Sequence, residues 1–337
     1  MTKPRVAVGS LGGTIAMTSE SGAGVTPTLR ADDLVAAVPG LADVAALEAV
    51  TLALLPSASL GYADCAAALE WAHRAIDDGA AGVVLVQGTD TLEETAYLFD
   101  LSWDRPEPLV VTGAMRSPQR AGTDGPANLL AAVTTAASPA SRDLGVLVVM
   151  NDEIHAAARV AKTDSMAVQA FRSPVFGSLG RLVEGVPAYG NRPHRHPALA
   201  GPIVPGASPR VALLTTHLGD DGELVRLTAA AGHDGLVLAT LGVGHVPAAV
   251  AEAVGEAAAR LPVVFASRTG AGATARGTYG FAGSERDLVD RGAVPAGWLT
   301  PVKARLLLWS LLGRGSTREE IACELALRGA ASPGAAR

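Results

Sequence analysis

The chain has 337 residues, which at about 150 residues per domain allows two domains with separate cores. Hydrophobic residues make up 49% of it and charged residues 18%, so an intrinsically disordered chain is excluded. The net charge is −6, and there are only 5 Phe, 4 Trp and 4 Tyr. Nucleic-acid binding needs clustered basic side chains or aromatic platforms, and neither is concentrated here. We therefore expect a small-molecule substrate and copies of the chain itself as partners, with no nucleic acid.

Cysteine usage and the N-terminus indicate the cytoplasm. The two cysteines, Cys65 and Cys323, lie far apart and lack the spacing of a metal knuckle or redox pair. Residues 1–8 run directly into a strand-like segment without an apolar targeting core. Apolar runs such as residues 80–86 are well below the roughly 18 residues that cross a bilayer, so no membrane association is expected. His194 and His196 have no carboxylate or thiolate cluster nearby, so we expect no metal site.

From residue 5 to about 150, short runs of Val and Leu alternate with longer Ala-rich stretches of helical period. This pattern predicts parallel strands covered by helices. The predicted strands are residues 6–9, 47–54, 82–86, 109–112 and 146–150. The predicted helices are residues 31–38, 63–77, 92–101 and 126–137.

Residues 185–209 are rich in Pro, Gly, His and Arg and lose the apolar period, which is typical of a linker. Beyond them the pattern predicts strands at 211–215, 235–239 and 262–266, and helices at 223–231, 247–260 and 301–312. We therefore expect an α/β protein with an N-terminal domain over residues 1–188 built on an open, mostly parallel sheet. A linker at 189–209 and a smaller α/β C-terminal domain at 210–337 complete the expected organisation.

Ligands of open parallel sheets bind beyond the carboxyl ends of the strands, and three loops at such positions are unusual. They span residues 9–16, 87–91 and 113–116, and each contains small residues that let the backbone approach a ligand. The first loop lacks the spacing of a dinucleotide fingerprint and of a nucleophile elbow. Taken alone, it is compatible with a simple tight turn in which Thr14 is incidental.

The second loop has two interpretations. Thr91 and Glu94 fit a capping box, which would make this loop an ordinary helix start. Capping leaves Thr89 and the preceding Gly88 without a role, so a functional interpretation stays open beside it. Farther along, Lys162 would normally be a solvated surface charge. It becomes a candidate base only if the fold brings it to Thr89.

Taken together, the three loops resemble the bacterial-type L-asparaginase/glutaminase family. The segments that carry the resemblance are residues 12–16, 88–97, 113–116, 124–129, 146–152, 162–163 and 303–305. They span nearly the whole chain in the order typical of that family. The resemblance implies hydrolysis of asparagine to aspartate and ammonia without a cofactor. It also implies a homodimer or, more usually, a homotetramer of intimate dimers with sites at the dimer interface.

The resemblance also implies roles for individual residues. Thr14 would be the nucleophile, with Thr89, Asp90 and Lys162 as a second catalytic group; which threonine attacks first is left open. Lys162 would be kept neutral by burial and draw a proton from Thr89. The residues implied in substrate binding are Gly13, Ser57, Ala58, Gly88, Thr89, Asp90 and Ala114, with Asp90 on the α-amino group, Ser57 on the α-carboxylate and the Ala114 carbonyl on the amide.

Several positions depart from the family pattern. Gly24 stands where a mobile lid often carries a tyrosine, and Ala58 stands where a glutamine is common, unless the register places Ser59 there. Gln87 replaces a common histidine. Glu285 and Tyr279 are both candidates for the acidic group that a neighbouring subunit often donates.

Other functions remain as alternatives. Glutamine is expected as a weaker substrate. An amide-donor subunit of a transamidation complex would need a dedicated partner, and an amino-acid amide sensor would bind without turnover. A dehydrogenase is suggested only by the parallel sheet and by a glycine pattern at residues 270–275, which is a weak match.

Overall fold

The computed structural model describes residues 2–18, 26–201 and 208–331. The chain folds into two compact units, residues 1–203 and 204–337. None of the described helices has the length and apolar character needed to cross a membrane.

The strands of the first unit are β1 (Arg5–Gly12), β2 (Met17–Thr18), β3 (Thr26–Pro27), β4 (Ala46–Leu55), β5 (Gly82–Val86), β6 (Leu109–Thr112), β7 (Val146–Met150), β8 (Glu153–Ala156), β9 (Ala161–Lys162), β10 (Phe171–Arg172), β11 (Gly180–Val183) and β12 (Val186–Tyr189). Its helices are α1 (Ala31–Ala36), α2 (Leu41–Val44), α3 (Tyr62–Asp77), α4 (Leu92–Asp100) and α5 (Gly125–Ala137). Short 3₁₀ turns lie at Thr14–Ala16, Ser57–Ser59 and Pro139–Ser141.

Eight of these strands form one sheet in the order β12-β11-β8-β7-β6-β5-β1-β4. The strands from β7 to β4 in this order are parallel, and β8, β11 and β12 are added antiparallel. The predicted α/β class and mostly parallel sheet are confirmed. Because β4 and β5 lie on opposite sides of β1, the order of the strands reverses there. In open α/β sheets the ligand crevice lies at such a point, here at the carboxyl ends of β1 and β5.

Burial explains why the central strands are nearly continuous apolar runs. Every residue of β5, β6 and β7 is buried, because helices cover both faces of the sheet. On one face Val84 and Val86 pack in a cluster with Leu34 of α1 and Leu129 of α5. Strand side chains alternate between faces, so Val83 and Leu85 point to the opposite face.

Several segments differ from the sequence predictions. Residues 186–189, expected to begin an irregular Pro- and Gly-rich stretch, form β12, which pairs with β11. The sequence pattern does not predict the short strands β8 to β11 either. Their runs are two to four residues long and only partly apolar, so they carry little periodic signal, and pairing with neighbouring strands decides their conformation.

The second unit contains a four-stranded parallel sheet in the order β13-β14-β15-β16. Its strands are β13 (Val211–Thr215), β14 (Gly235–Thr240), β15 (Val263–Ser267) and β16 (Val294–Pro295). Its helices are α6 (Glu223–Ala230), α7 (Ala248–Ala258), α8 (Glu285–Asp290), α9 (Pro301–Gly313) and α10 (Arg318–Arg328). The predicted smaller α/β unit is confirmed, while α8, α10 and β16 are additions that the sequence pattern does not identify.

Candidate active site

The ends of β1 and β5 meet at the crevice. Gly12 and Gly13 have φ of 101° and 85°, values that favour glycine, and they turn the chain out of β1 toward Thr14. A Cβ on Gly13 would lie 2.0 Å from the backbone nitrogen of Gly88, so the two loops touch through their backbones. Thr14 and Thr89 each directly follow one of these glycines. The fold therefore brings two hydroxyl-bearing segments, far apart in sequence, to the same crevice.

Ser57 joins the same place from the end of β4. It is 3% exposed, and a Cβ on Gly88 would lie 2.6 Å from its hydroxyl oxygen. The Ser57 Oγ accepts a hydrogen bond from the Asp90 amide at 3.2 Å, which leaves its own proton to be donated to a ligand. Ser57 is thereby fixed beside the loop that carries Thr89.

Lys162 reaches this loop from β9. Its Nζ lies 3.0 Å from the Thr89 hydroxyl oxygen and 2.8 Å from Asp90 Oδ1. The lysine side chain is 15% exposed and that of Asp90 68%, so the amine is largely shielded while the carboxylate faces solvent. The contact between Lys162 and Thr89, on which the interpretation of this lysine as a base depends, is present in the structure.

A small hairpin holds Lys162 in place. In it, β9 pairs with β10, where Lys162 lies opposite Phe171, and the Lys162 amide donates to Glu93 Oε1 of α4 at 3.4 Å. Asp164 begins the connecting turn and accepts the amides of Met166 and Ala167 at 2.7 and 2.8 Å. These hydrogen bonds, that of Ala167 foremost, lower the pKa of Asp164.

The capping interpretation of Thr91 is wrong for its side chain. Thr91 is the N-cap of α4, but its hydroxyl makes no capping hydrogen bond and donates instead to the Ser57 carbonyl at 3.0 Å. The contribution of Thr91 to the helix is made by its carbonyl, which accepts a hydrogen bond from the Thr95 amide at 2.9 Å. The Thr91 hydroxyl thus tethers the Ser57 turn to the start of α4, a contact that local sequence patterns cannot reveal.

Gln87, which precedes Gly88, is completely buried. Its Nε2 donates to the Gly88 carbonyl and to the Thr95 hydroxyl, each at 3.3 Å. It therefore contacts the backbone of the loop and α4 from behind the crevice.

The remaining predicted residues are placed as follows. Ala114 is fully buried in the loop after β6, whereas Ala58 and Ser59 are exposed. Gly24 lies outside the described residues. Among the residues that the structure describes, no group of three or more His, Cys, Asp or Glu side chains is placed to hold a metal ion.

Glu285 and Tyr279 are bound to each other within the second unit. The buried Glu285 accepts the amides of Thr278 and Tyr279 at 2.7 and 2.8 Å and contacts His245 at 3.2 Å. Burial raises the pKa of Glu285, but the backbone amides of Tyr279, Glu285 and Thr278 and the imidazole of His245 together outweigh it, so the pKa is lowered. The carboxylate is thus engaged within its own unit, while the Tyr279 side chain is 44% exposed.

In this protein, hydroxyl groups lie at the carboxyl ends of parallel strands, and an amine is in hydrogen-bond contact with one of them. This arrangement is typical of an enzyme site, so the fold and the crevice define the class of the protein as an α/β enzyme. Residues 5–195 match the family model described as "Asparaginase, N-terminal". Residues 210–323 match "Glutaminase/Asparaginase C-terminal domain". The chain therefore belongs to the L-asparaginase family.

Several relatives support this membership. "Probable L-asparaginase" of Deinococcus radiodurans is 38% identical over 325 residues, which cover 94% of this chain and 96% of the relative. "L-asparaginase 2" of Escherichia coli K12 is 33% identical over 336 residues, covering 94% and 91%. The crystal structure of "Probable Cytoplasmic L-asparaginase from Campylobacter jejuni" superposes with a TM-score of 0.86 at 31% identity and covers 96% of this chain and 99% of that one.

Proposed function

We propose that the chain hydrolyses the side-chain amide of L-asparagine to L-aspartate and ammonia, with L-glutamine as a weaker substrate and without a cofactor. The observation that carries the proposal is the contact of Lys162 with both Thr89 and Asp90, at the crevice where Gly13 and Gly88 touch. Membership of the L-asparaginase family supports the choice of substrate.

In the proposed acylation step the Thr14 hydroxyl oxygen attacks the side-chain amide carbon. The threonine proton passes to a base, the tetrahedral oxyanion collapses, and ammonia leaves with a proton, so that an ester on Thr14 remains. Backbone N–H groups near Gly13 and Gly88 are suited to the oxyanion, because neither residue has a side chain to block the approach. Splitting the hydrolysis into two steps lowers the barrier of each.

In the proposed deacylation step water attacks the ester carbon, and the Thr14 oxygen regains a proton. Thr89 and Lys162 are proposed to carry the proton, because the Lys162 Nζ lies within hydrogen-bond reach of the Thr89 hydroxyl oxygen, at 3.0 Å. The exposed Asp90 carboxylate is suited to bind the α-amino group, and Ser57 the α-carboxylate, to which its hydroxyl can donate.

Ammonia release by the purified protein tests this proposal with L-asparagine, L-glutamine and the corresponding D-amides. We expect L-asparagine to have the highest kcat/KM. Thr14→Ala and Lys162→Met should each lower kcat by at least about 10³-fold, since a nucleophile or proton carrier is lost. Thr135→Ala is the matched control. Thr135 is buried in α5 and donates only within its helix, to the Ala131 carbonyl, so this variant should keep its activity.

Three outcomes would contradict the proposal. One is activity of Thr14→Ala or Thr89→Ala within a few fold of wild type. The second is binding of L-asparagine, measured by calorimetry, without ammonia release, which would instead indicate a sensor. The third is a requirement for a dedicated partner protein, as an amide-donor subunit would show. Mass spectrometry of the enzyme quenched during turnover should find the acyl ester on the peptide that contains Thr14, and an ester on the Thr89 peptide would reverse the order of the two hydroxyls.

The assembly and compartment are further parts of this proposal. We infer a homodimer or homotetramer, which the family resemblance supports, and light scattering on the purified protein tests it. A cytoplasmic location is supported by the two cysteines, neither of which is in a disulfide, and by the likeness to a Campylobacter protein named cytoplasmic. A relative from Haemophilus influenzae is named periplasmic, so fractionation of the source cells is the deciding measurement.

A further inference from the structure

Asp124 lies at the N-terminus of α5 and is 7% exposed. Its carboxylate accepts the Met115 amide, at 2.9 Å to Oδ2 and 3.1 Å to Oδ1, and the Arg116 amide at 2.9 Å. Two successive backbone N–H groups of the loop after β6 therefore converge on one shielded carboxylate.

Asn128 stands one helical turn further along α5 and is 2% exposed. Its Nδ2 donates to Asp124 Oδ2 and to the Gly113 carbonyl, each at 3.0 Å. Its Oδ1 accepts the Asn151 amide at 2.9 Å, at the turn that follows β7. This single amide side chain thus ties the loop after β6 both to Asp124 and to the end of the next strand.

The loop held in this way borders the Thr89 segment, and the first residue of α5 borders the Thr14 segment. A Cβ on Gly113 would lie 2.5 Å from the Gln87 carbonyl and 3.3 Å from Thr89 Cγ2. A Cβ on Gly125 would lie 2.8 Å from the side chain of Ile15, the residue after Thr14. A shift of the loop would therefore displace groups of the proposed reaction that pack against it.

The geometry of the peptide bond links the hydrogen bonds of Asp124 to the direction of the Ala114 carbonyl. In a trans peptide the C=O and the N–H point in opposite directions, and the structure contains no cis peptide bond among its described residues. The Ala114 carbonyl shares its peptide plane with the Met115 N–H. Because Asp124 holds that N–H, the Ala114 carbonyl must point away from α5.

A carbonyl oxygen in a fixed orientation distinguishes an amide from an acid. It accepts a hydrogen bond from the NH₂ of a carboxamide, whereas it repels the oxygens of a carboxylate, which cannot donate. Substrate and product of the proposed reaction differ in this group. The orientation of the Ala114 carbonyl therefore affects both the binding of the amide and the release of the acid.

We propose that Asp124 and Asn128 are positioning residues that fix the Ala114 carbonyl for amide recognition and thereby set the preference for L-asparagine over L-aspartate. This inference rests on the proposed function, since it assigns these residues to the amide subsite of that reaction. Neither side chain is proposed to touch the substrate.

The test compares Asp124→Asn, Asn128→Asp and the double variant that exchanges the two residues. Asp124→Asn replaces one carboxylate oxygen with an NH₂ donor, which then faces either the Asn128 amide or the backbone N–H groups of Met115 and Arg116, and Asn128→Asp places two carboxyls opposite each other. We expect each single variant to lower kcat/KM about 10- to 100-fold. The ratio of the inhibition constant of L-aspartate to the KM of L-asparagine should fall as well. The exchanged pair restores a donor opposite an acceptor, so the double variant should be more active than either single variant.

Asp100→Asn is the matched control. Asp100 also accepts a backbone amide, that of Val146 at 3.1 Å, but at the amino end of β7, on the sheet edge away from the crevice. It should leave the ratio of the inhibition constant to KM unchanged. Asp124→Glu, which keeps the charge and displaces the carboxylate by one methylene, replaces Asp124→Asn if that variant does not fold. Hydrogen exchange should show faster exchange of the Met115 and Arg116 amides in the Asp124 variant.

The outcomes separate this inference from the proposed function. An active wild type, together with single variants whose inhibition-to-KM ratio equals that of wild type, overturns the positioning role and leaves the asparaginase proposal standing. A double variant no better than the worse single variant also overturns it. A wild type that releases no ammonia from any amide overturns the proposed function and this inference together.

Discussion

The contact between Gly13 and Gly88 makes Gly13→Ala a sensitive test of the crevice. Gly13 has φ of 85° and ψ of −177°, a region occupied almost only by glycine, and placing alanine there costs about 1–3 kcal/mol. The new Cβ would also lie 2.0 Å from the Gly88 nitrogen, against about 3.4 Å for an ordinary contact, so the loops must separate by about 1.4 Å.

A displacement of this size should reduce activity far more than stability. Misplacement of reacting groups by about 1 Å can cost about 100-fold, so we expect kcat/KM of Gly13→Ala to fall by at least about 100-fold. At about 2–4 °C per kcal/mol, the melting temperature should fall by roughly 2–12 °C. Steady-state ammonia release and thermal unfolding of the same preparation measure both quantities.

Gly185→Ala provides the matched control. Gly185 also has a positive φ, 75°, but a Cβ there meets nothing within 4 Å. It should show a loss of melting temperature with unchanged kcat/KM. A Gly13→Ala protein whose kcat/KM stays within about threefold of wild type would refute the argument that this close approach assembles the site.

Three further predictions concern other contacts. Thr91→Val removes the hydrogen bond to the Ser57 carbonyl and should raise the KM for L-asparagine about 3- to 10-fold with little change in kcat, while Thr91→Ser keeps wild-type values in the same steady-state assay. Burial lowers the pKa of His73 from 6.5, so its contribution to stability is present above pH 6.5 and lost as the pH falls through the lowered value; the melting temperature of wild type should therefore drop more steeply below pH 6.5 than that of His73→Gln. Burial raises the pKa of Cys65 to about 12, so at pH 8 a thiol reagent should react quickly with the exposed Cys323 alone, and fast reaction of two thiols would contradict that burial.

The central strands can be predicted from the sequence because a strand buried on both faces is a nearly continuous run of apolar residues, and such a run is visible in the sequence itself. For residues 82–86, 109–112, 146–150 and 211–215 the predicted strands have the bounds found in the structure. Since ligands of such sheets bind at the carboxyl ends of the strands, the same pattern directs attention to the loops that carry Thr14 and Thr89. Periodicity alone thus locates the edge of the sheet where the crevice lies.

Tertiary structure decides which distant groups meet. Lys162 reaches Thr89 across 73 positions of sequence, through a hairpin too short to have a periodic signal. The hydroxyl of Thr91 fits a local capping pattern, but a carbonyl from the end of another strand, that of Ser57, takes its hydrogen bond. Asp124 and Asn128, which are spaced one helical turn apart, reveal their partners only once α5 packs beside β6. Local spacing determines which face of an element a side chain occupies, whereas the order of strands in the sheet determines what lies opposite, and that order is set by packing among segments remote in sequence.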